Sequence, residues 1–421
     1  MIKEIVSEED DVRYSAFSLD FSRHPMKSSK QKQKESYFII LEYIVKLCCV
    51  NNGCVNNRLI MYREFLMNNA DIELNSTQVT ESSIHPLSKK LTLPWKKRRC
   101  YWLVCDLALI LLEESKIKEA TIILCKYLSK RTAASIDKLF VLLWNDDETP
   151  ASLSFTKELL CQFRANRRFL AQPLKRILVT ATMSAGKSTL INSLMGKDLL
   201  EARNEACTGS VYSVFNKPFD DHILKQDDNS IAIYIEAFKD QRICLIDTPG
   251  VNSAKHPTHC EITKAEIEAG KYDVITYIFN AKYIGTIDDD NHLRYVINNI
   301  PRDTQIVFVL NQLDAFKEED SIDDTINELR KHLEVCGVPN PIICPISAKA
   351  GLLAEKVCHD VELSKYEQRW YEIYEECFAT EDLDLSRYYD EPYNIGKIPL
   401  LRQCGLKGLE EVLLKTEREG Y

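Results

Sequence analysis

Ala181-Thr182-Met183-Ser184-Ala185-Gly186-Lys187-Ser188-Thr189 joins an apolar run, Ile177-Leu178-Val179, to a helix-like stretch, Leu190 to Met195. Strand, tight loop with Gly-Lys-Ser, then helix is the arrangement that wraps a polyphosphate. Backbone N–H groups of Ser184, Ala185, Gly186, Lys187, Ser188 and Thr189 would face the phosphates at a helix N-terminus. Lys187 would reach the terminal phosphates, and the Ser188 hydroxyl would hold Mg²⁺. Position 181 is Ala where this pattern usually opens with Gly.

Three further motifs follow in order, each after a short apolar run. Asp247-Thr248-Pro249-Gly250 follows Ile243 to Ile246, Asn311-Gln312-Leu313-Asp314 follows Ile306 to Leu310, and Ser347-Ala348-Lys349 follows Ile342 to Ile346. Ligands of open parallel sheets bind beyond the carboxyl ends of the strands, where these motifs lie. Asp247 would hold Mg²⁺ through a water, and the Gly250 N–H would sense a γ-phosphate. An Asn-x-x-Asp pair suits guanine, because the Asp314 carboxylate accepts from both the ring N–H and the exocyclic amine. Adenine lacks that donor pair and would leave the carboxylate unpaired. The Ala348 N–H would meet the guanine carbonyl, and the Lys349 stem would lie against the ring. Gln312 stands where Lys is usual. Thr208, in Asn204 to Gly209, is the candidate to close over Mg²⁺ and position the attacking water.

Residues 172–421 resemble the GTPase domain of the dynamin superfamily, in particular bacterial dynamin-like proteins. The resemblance rests on Thr182 to Leu194, Asn204 to Thr208, Asp247 to Gly250, Phe279-Asn280-Ala281, Gly285 to Asp290 and Asn311 to Asp314. It implies GTP binding and Mg²⁺-dependent hydrolysis to GDP and phosphate, stimulated by pairing of two GTPase domains as a homodimer. It also implies catalytic roles for Ser184 and Thr208 beside Lys187 and Gly250. Met183 occupies a position that is Gln in eukaryotic dynamins. The ribosome-assembly type of GTPase is the weaker family alternative.

The expected architecture is α/β: a P-loop GTPase domain with a mostly parallel sheet, preceded by an all-helical N-terminal domain. Residues 1–34 read as a polar, loosely docked tail, 35–170 as the helical domain and 171–421 as the GTPase domain. Apolar spacing predicts helices over Tyr37–Cys49, Arg58–Asn68, Tyr101–Glu114, Lys118–Leu128, Ser135–Leu143 and Leu153–Phe169. Residues 350–400 read as a helical elaboration before a closing helix at Gly405 to Leu414. Trp370, Tyr371, Tyr374 and Phe378 share one helical face there, read as packing against the GTPase core.

Fifteen cysteines without Cys-x-x-Cys spacing suit a reducing cytosol. No apolar run reaches transmembrane length. The expected location is the cytoplasm, with a peripheral membrane position as the alternative. Residues 1–170 carry a net charge of +5 and residues 171–421 a net −14, making up the −9 of the chain. The acidic half disfavours nucleic acid as a partner. The basic run Ser88 to Trp102 could touch anionic lipid, but reads better as a solvated loop anchored by its Trp residues. Little chain follows the GTPase domain, so a stalk-bearing partner would have to supply any membrane remodelling. A protein partner at the helical domain, gated by nucleotide with little turnover, is the other functional alternative.

Overall fold

The computed structural model describes residues 19–49, 53–67, 97–145, 148–200, 210–220, 223–227, 229–251, 258–302, 304–317, 320–390 and 398–416. The chain divides into two compact units, the first Met1–Gln172 with Lys217–Gln226, the second Pro173–Asn216 with Asp227–Tyr421.

Among the described residues the first unit holds six α-helices: α1 (Gln31–Cys48), α2 (Gly53–Met67), α3 (Lys97–Leu111), α4 (Glu114–Cys125), α5 (Lys130–Trp144) and α6 (Lys157–Ala171). Each overlaps one of the six expected from apolar spacing. Ser129 caps α5 by accepting from the Thr132 N–H. The Segment Lys217–Gln226, carrying most of the short strand β3 (Leu224–Asp227), belongs to the same unit. One apolar core joins α1 to α6, from Phe38 and Leu41 through Leu103 and Leu107 to Leu159 and Phe163.

A polar node sits inside that core. The fully buried Asp106 carboxyl accepts from Tyr62 at 3.0 Å and also from the Tyr37 hydroxyl, and meets His24 Nε2 at 3.1 Å. Burying a carboxyl is tolerable only when such donors surround it. His24 corrects the expected tail over 1–34. Residues 1–18 lie outside the described residues, but Leu19 and Met26 are fully buried and residues from Gln31 are already helical. Polar composition hid this packing because His24 is recruited by Asp106, 82 positions away. Of the basic run 88–102, residues 88–96 lie outside the described residues. Its end forms the first turns of α3, with Trp102 Nε1 donating to the Phe155 carbonyl at 2.9 Å.

The second unit is an α/β layer structure. Strands β1 (Lys175–Ala181), β2 (Tyr212–Asn216), β4 (Ser230–Ile233), β5 (Ile243–Asp247), β6 (Val274–Asn280), β7 (Gln305–Asn311) and β8 (Ile342–Pro345) run in the order β4-β2-β5-β1-β6-β7-β8. Every neighbouring pair is parallel except β2 with β5. Ile177 to Val179 and Val274 to Phe279 are buried throughout, as continuous apolar runs in a sheet covered on both faces require. Helices α7 (Lys187–Met195), α8 (Thr258–Ala269), α9 (Ile287–Asn299), α10 (Ile322–Val335) and α11 (Ala348–Cys358) connect or follow the strands. The elaboration is α12 (Lys365–Phe378), opened by a Ser364/Glu367 capping box. Residues 391–397 lie outside the described residues. Helices α13 (Pro399–Gln403) and α14 (Leu406–Lys415) close the unit.

Under the sheet, His292 of α9 places Nε2 2.9 Å from Thr180 Oγ1. Burial, aided by Lys264, pushes this imidazole down to about 4. An unfolded chain protonates the ring near pH ~6.5. The stability tied to a neutral ring is therefore present above that value and is lost as pH falls toward the folded one. Burial pushes the neighbouring Asp289 up to about 6, which acts in the opposite sense. Comparison with His292→Gln isolates the ring. Between about pH 7 and about pH 4, urea unfolding should show wild type losing on the order of 3 kcal/mol more than the variant. Parallel stability curves would remove His292 from acid sensitivity.

Candidate functional site

Parallel register brings the four motifs to one edge of the sheet. Val179 pairs with Asp247, Ala181 with Ile278, Asn280 with Asn311 and Leu310 with Pro345. Each strand then ends in a loop on the same side. The phosphate loop turns through two left-handed residues, Ser184 at φ 65° and Gly186 at φ 89°. Gly186 is the N-cap of α7. A Cβ at Gly186 would fall on the Asn311 amide nitrogen, so glycine is required for space as well as conformation.

Asn311 joins three loops. Its Nδ2 donates to the Ala185 carbonyl at 2.9 Å, and its Oδ1 accepts from the Ala348 N–H at 3.0 Å. Gln312, left-handed at φ 69°, donates from Nε2 to the Ser184 carbonyl at 2.7 Å. Asp314 Oδ1 accepts from Ser347 Oγ at 2.7 Å. Ser347 also caps α11, accepting from the Ala350 N–H.

At the other end of the loop, Lys187 is ion-paired with Asp247 Oδ1, both side chains buried. Asp247 Oδ2 is buried without a partner among the described residues. Burial raises the Asp247 carboxyl above its ordinary range, and the Lys187 ammonium opposes that rise. An unpartnered buried carboxylate oxygen beside a lysine fits a site that receives a hydrated divalent cation and a phosphate together. Ser188 is half-buried at the start of α7, available to the same cation. Thr248 Oγ1 donates to the Val179 carbonyl at 2.9 Å, and Thr263 Oγ1 to the Pro249 carbonyl at 2.8 Å. Thr182 and Val251 form a parallel bridge. The loop ending in Gly250 is thus fastened beside Met183.

The structure brings together Ser184 to Ser188, Asp247, Gly250, Asn311, Gln312, Asp314, Ser347 and Ala348. Thr208 and its stretch Asn204–Gly209 lie outside the described residues. Lys349 places its Nζ 4.4 Å from the Trp370 ring centroid and 5.8 Å from that of Tyr374. Tyr374 in turn donates its hydroxyl to Asp314 Oδ2 at 3.2 Å. The aromatic face of α12 therefore reaches Asp314 as well as packing inward through Tyr371 and Phe378. Helical spacing revealed the face but not the residue it meets.

Comparison with known proteins follows this geometry. The family described as 50S ribosome-binding GTPase (MMR_HSR1) matches residues 176–312. The chain is 23% identical over 184 residues to the Probable transmembrane GTPase FZO-like, chloroplastic, of Arabidopsis thaliana, covering 42% of this chain and 20% of that protein. It is 28% identical over 152 residues to the GTPase Era of Thermotoga maritima, covering 36% and 42%. The chain thus spans less than half the length of either relative. Solved structures that align include Era in complex with MgGDPNP and nucleotides 1506–1542 of 16S ribosomal RNA, at 22% identity, 42% and 52% coverage and a TM-score of 0.31. The bacterial selenocysteine-specific elongation factor EF-Sec aligns at 19% identity, 44% and 28% coverage and a TM-score of 0.29.

Gly186→Ala should lower stability by about 1–3 kcal/mol in chemical denaturation, from the strained φ and the displaced Asn311 amide. A variant as stable as wild type would mean that Asn311 yields freely. The motif order, the sheet and the family match agree: this chain carries a GTP-binding GTPase domain with the P-loop fold.

Proposed function

We propose that this chain hydrolyses GTP to GDP and phosphate with Mg²⁺, and that turnover rises when two GTPase domains pair as a homodimer. The observation that carries the reading is the buried, unpartnered Asp247 Oδ2 beside Lys187. Ser188, Asp247 and Thr208 would hold the ion, which supplies charge neutralisation at the phosphates when bound. Lys187 exchanges Asp247 for the terminal phosphates, and the Gly250 N–H donates to the γ-phosphate. Ser184, Ala185, Gly186 and Thr189 contribute backbone to the phosphate cradle. Asn311, Gln312, Asp314, Ser347, Ala348 and Lys349 form the guanine pocket. Thr208 orients the attacking water.

Pairing through the nucleotide face is supported by exposed apolar side chains around the phosphate loop. Met183 lies in that loop and is 46% exposed. Tyr283 and Ile287, 66% and 81% exposed, precede Asp289, whose ionised form is favoured by the nearby Thr182 of the loop. Side chains of this size in one neighbourhood suit burial against a second copy. Dynamin-type hydrolysis, with Ser184 and Thr208 as catalytic residues, follows from that pairing. The relatives' names mention a transmembrane GTPase and a complex with ribosomal RNA. Among the described residues no helix is long and apolar enough to cross a membrane. The net −14 of residues 171–421 weighs against RNA.

GTP turnover per molecule, measured across a wide dilution series, should rise with protein concentration. Ile287→Asp should flatten that dependence while leaving GDP affinity unchanged. A flat series for wild type would reject domain pairing, and absent turnover at every concentration would reject the enzyme reading in favour of a nucleotide-gated binding module.

The guanine pocket extends to α12. Tyr374 acts as a positioning residue that fixes Asp314 Oδ2 for the base. Removing one such hydrogen bond costs about 1 kcal/mol, or roughly fivefold in affinity. Tyr374→Phe should therefore lower the ratio of GDP to inosine diphosphate affinity by about fivefold. An unchanged ratio would return Tyr374 to a packing role.

A further inference from the structure

Beside the phosphate-loop machinery, α9 and α10 bring three chemically distinct donors to one point. Asp290 Oδ1 is 3.4 Å from His332 Nε2, and Cys336 Sγ is 3.9 Å from each of them. His332 and Cys336 are four residues apart at the end of α10, a spacing that puts both on one helical face. All three side chains are partly buried. Arg294 Nε bonds the other carboxylate oxygen, Oδ2, at 2.8 Å, which orients Oδ1 toward the imidazole and thiol.

The cluster is not arranged as a proton relay. A relay uses the two imidazole nitrogens on opposite sides of the ring. Here one nitrogen, Nε2, faces both the carboxylate and the sulfur. Convergence of O, N and S on a common point is instead the arrangement of a chelate. Tetrahedral zinc, with bonds of about 2.3 Å to sulfur and about 2.0 Å to nitrogen and oxygen, sets donor separations of roughly 3.3–3.6 Å. The observed triangle needs adjustments of only a few tenths of an ångström to close on such an ion. A thiol and an imidazole also select a borderline-soft metal over Mg²⁺ or Ca²⁺.

We propose that Asp290, His332 and Cys336 bind a zinc-class divalent cation, with the fourth position open to water. The ion would cross-link α9 to α10. It would also anchor the helix whose Asp289, one residue earlier, accepts from the Tyr277 hydroxyl. The role is structural and does not rest on the GTP-hydrolysis reading.

The test uses the full chain, stripped of metal with a chelator and titrated with Co²⁺. One equivalent should give a thiolate-to-cobalt charge-transfer band in the near-ultraviolet and the intense visible bands of a four-coordinate site. Zn²⁺ should displace both and raise the thermal midpoint. Cobalt held at Ser188 and Asp247 would be six-coordinate through oxygen, weakly coloured and without the charge-transfer band, so the two sites separate. Cys336→Ser should lose the band, and His332→Ala should weaken Co²⁺ binding about tenfold or more. GDP affinity unchanged in each variant shows that it folds. No charge-transfer band in wild type would overturn the proposal. So would a band of equal strength in Cys336→Ser, since it would belong to another of the free cysteines.

Discussion

The nucleotide face depends on the Asn311 side chain. One amide spans the Ala185 carbonyl and the Ala348 N–H, tying together the loops that follow β1, β7 and β8. That bridge needs parallel register between β6 and β7, a left-handed residue at 186 and a helix that starts at Ala348. Substituting any of these moves the others. The consequence is that phosphate and base sites form one rigid constellation. Gln312 and Ser347 reinforce it, the first on the Ser184 carbonyl and the second on Asp314. A pocket held in this way loses little freedom on binding, so more of the contact energy appears as affinity.

The Lys187–Asp247 pair works in the opposite sense. Both side chains are buried, and one carboxylate oxygen is left without a donor. Burial raises the Asp247 carboxyl and Lys187 pulls it back. A buried pair with an unsatisfied member contributes little net stability. Nucleotide and cation arriving together give each partner a better-matched ligand: phosphate for the ammonium, hydrated cation for the carboxylate. Either ligand alone would leave one charge uncompensated. The site is thus rigid in its backbone and its amide bridge and incomplete in its charges, a state that joint arrival of a metal and a nucleotide would satisfy.

What was legible in the sequence was local. Apolar runs of four or five residues leading into Asp-x-x-Gly, Asn-x-x-Asp or Ser-Ala-Lys identify strand ends, and a parallel sheet then lines them up without further information. The six helices of the first unit were legible for the same reason, since apolar periodicity is a nearest-turn property. Long-range polar recruitment was not. Tyr374 meets Asp314 sixty positions earlier, and Lys349 meets Trp370 across a loop. Helical spacing places those aromatics on one face but does not name its partner. His24 shows the same limit, because a polar stretch reads as solvated until Asp106 is known to lie beneath it. The convergence of Asp290 with His332 and Cys336 likewise joins two helices separated by β7.

Helix α9 connects these observations. Its first turns put the Asp289 carboxyl on the Tyr277 hydroxyl and near Thr182 of the phosphate loop, which favours its ionised form, and send His292 to Thr180 of β1. Asp290 and Arg294, one turn apart, face α10 through His332 and Cys336. The exposed Tyr283 stands ahead of the helix and the exposed Ile287 opens it. A displacement of Thr182 when phosphate enters would therefore be felt by a buried carboxyl that has few other places to go. Because close-packed elements shift as units, that displacement would move the exposed residues before α9 and the edge it shares with α10 together. Helix α9 thus carries contacts to β1 at Thr180 and to α10 at His332 and Cys336.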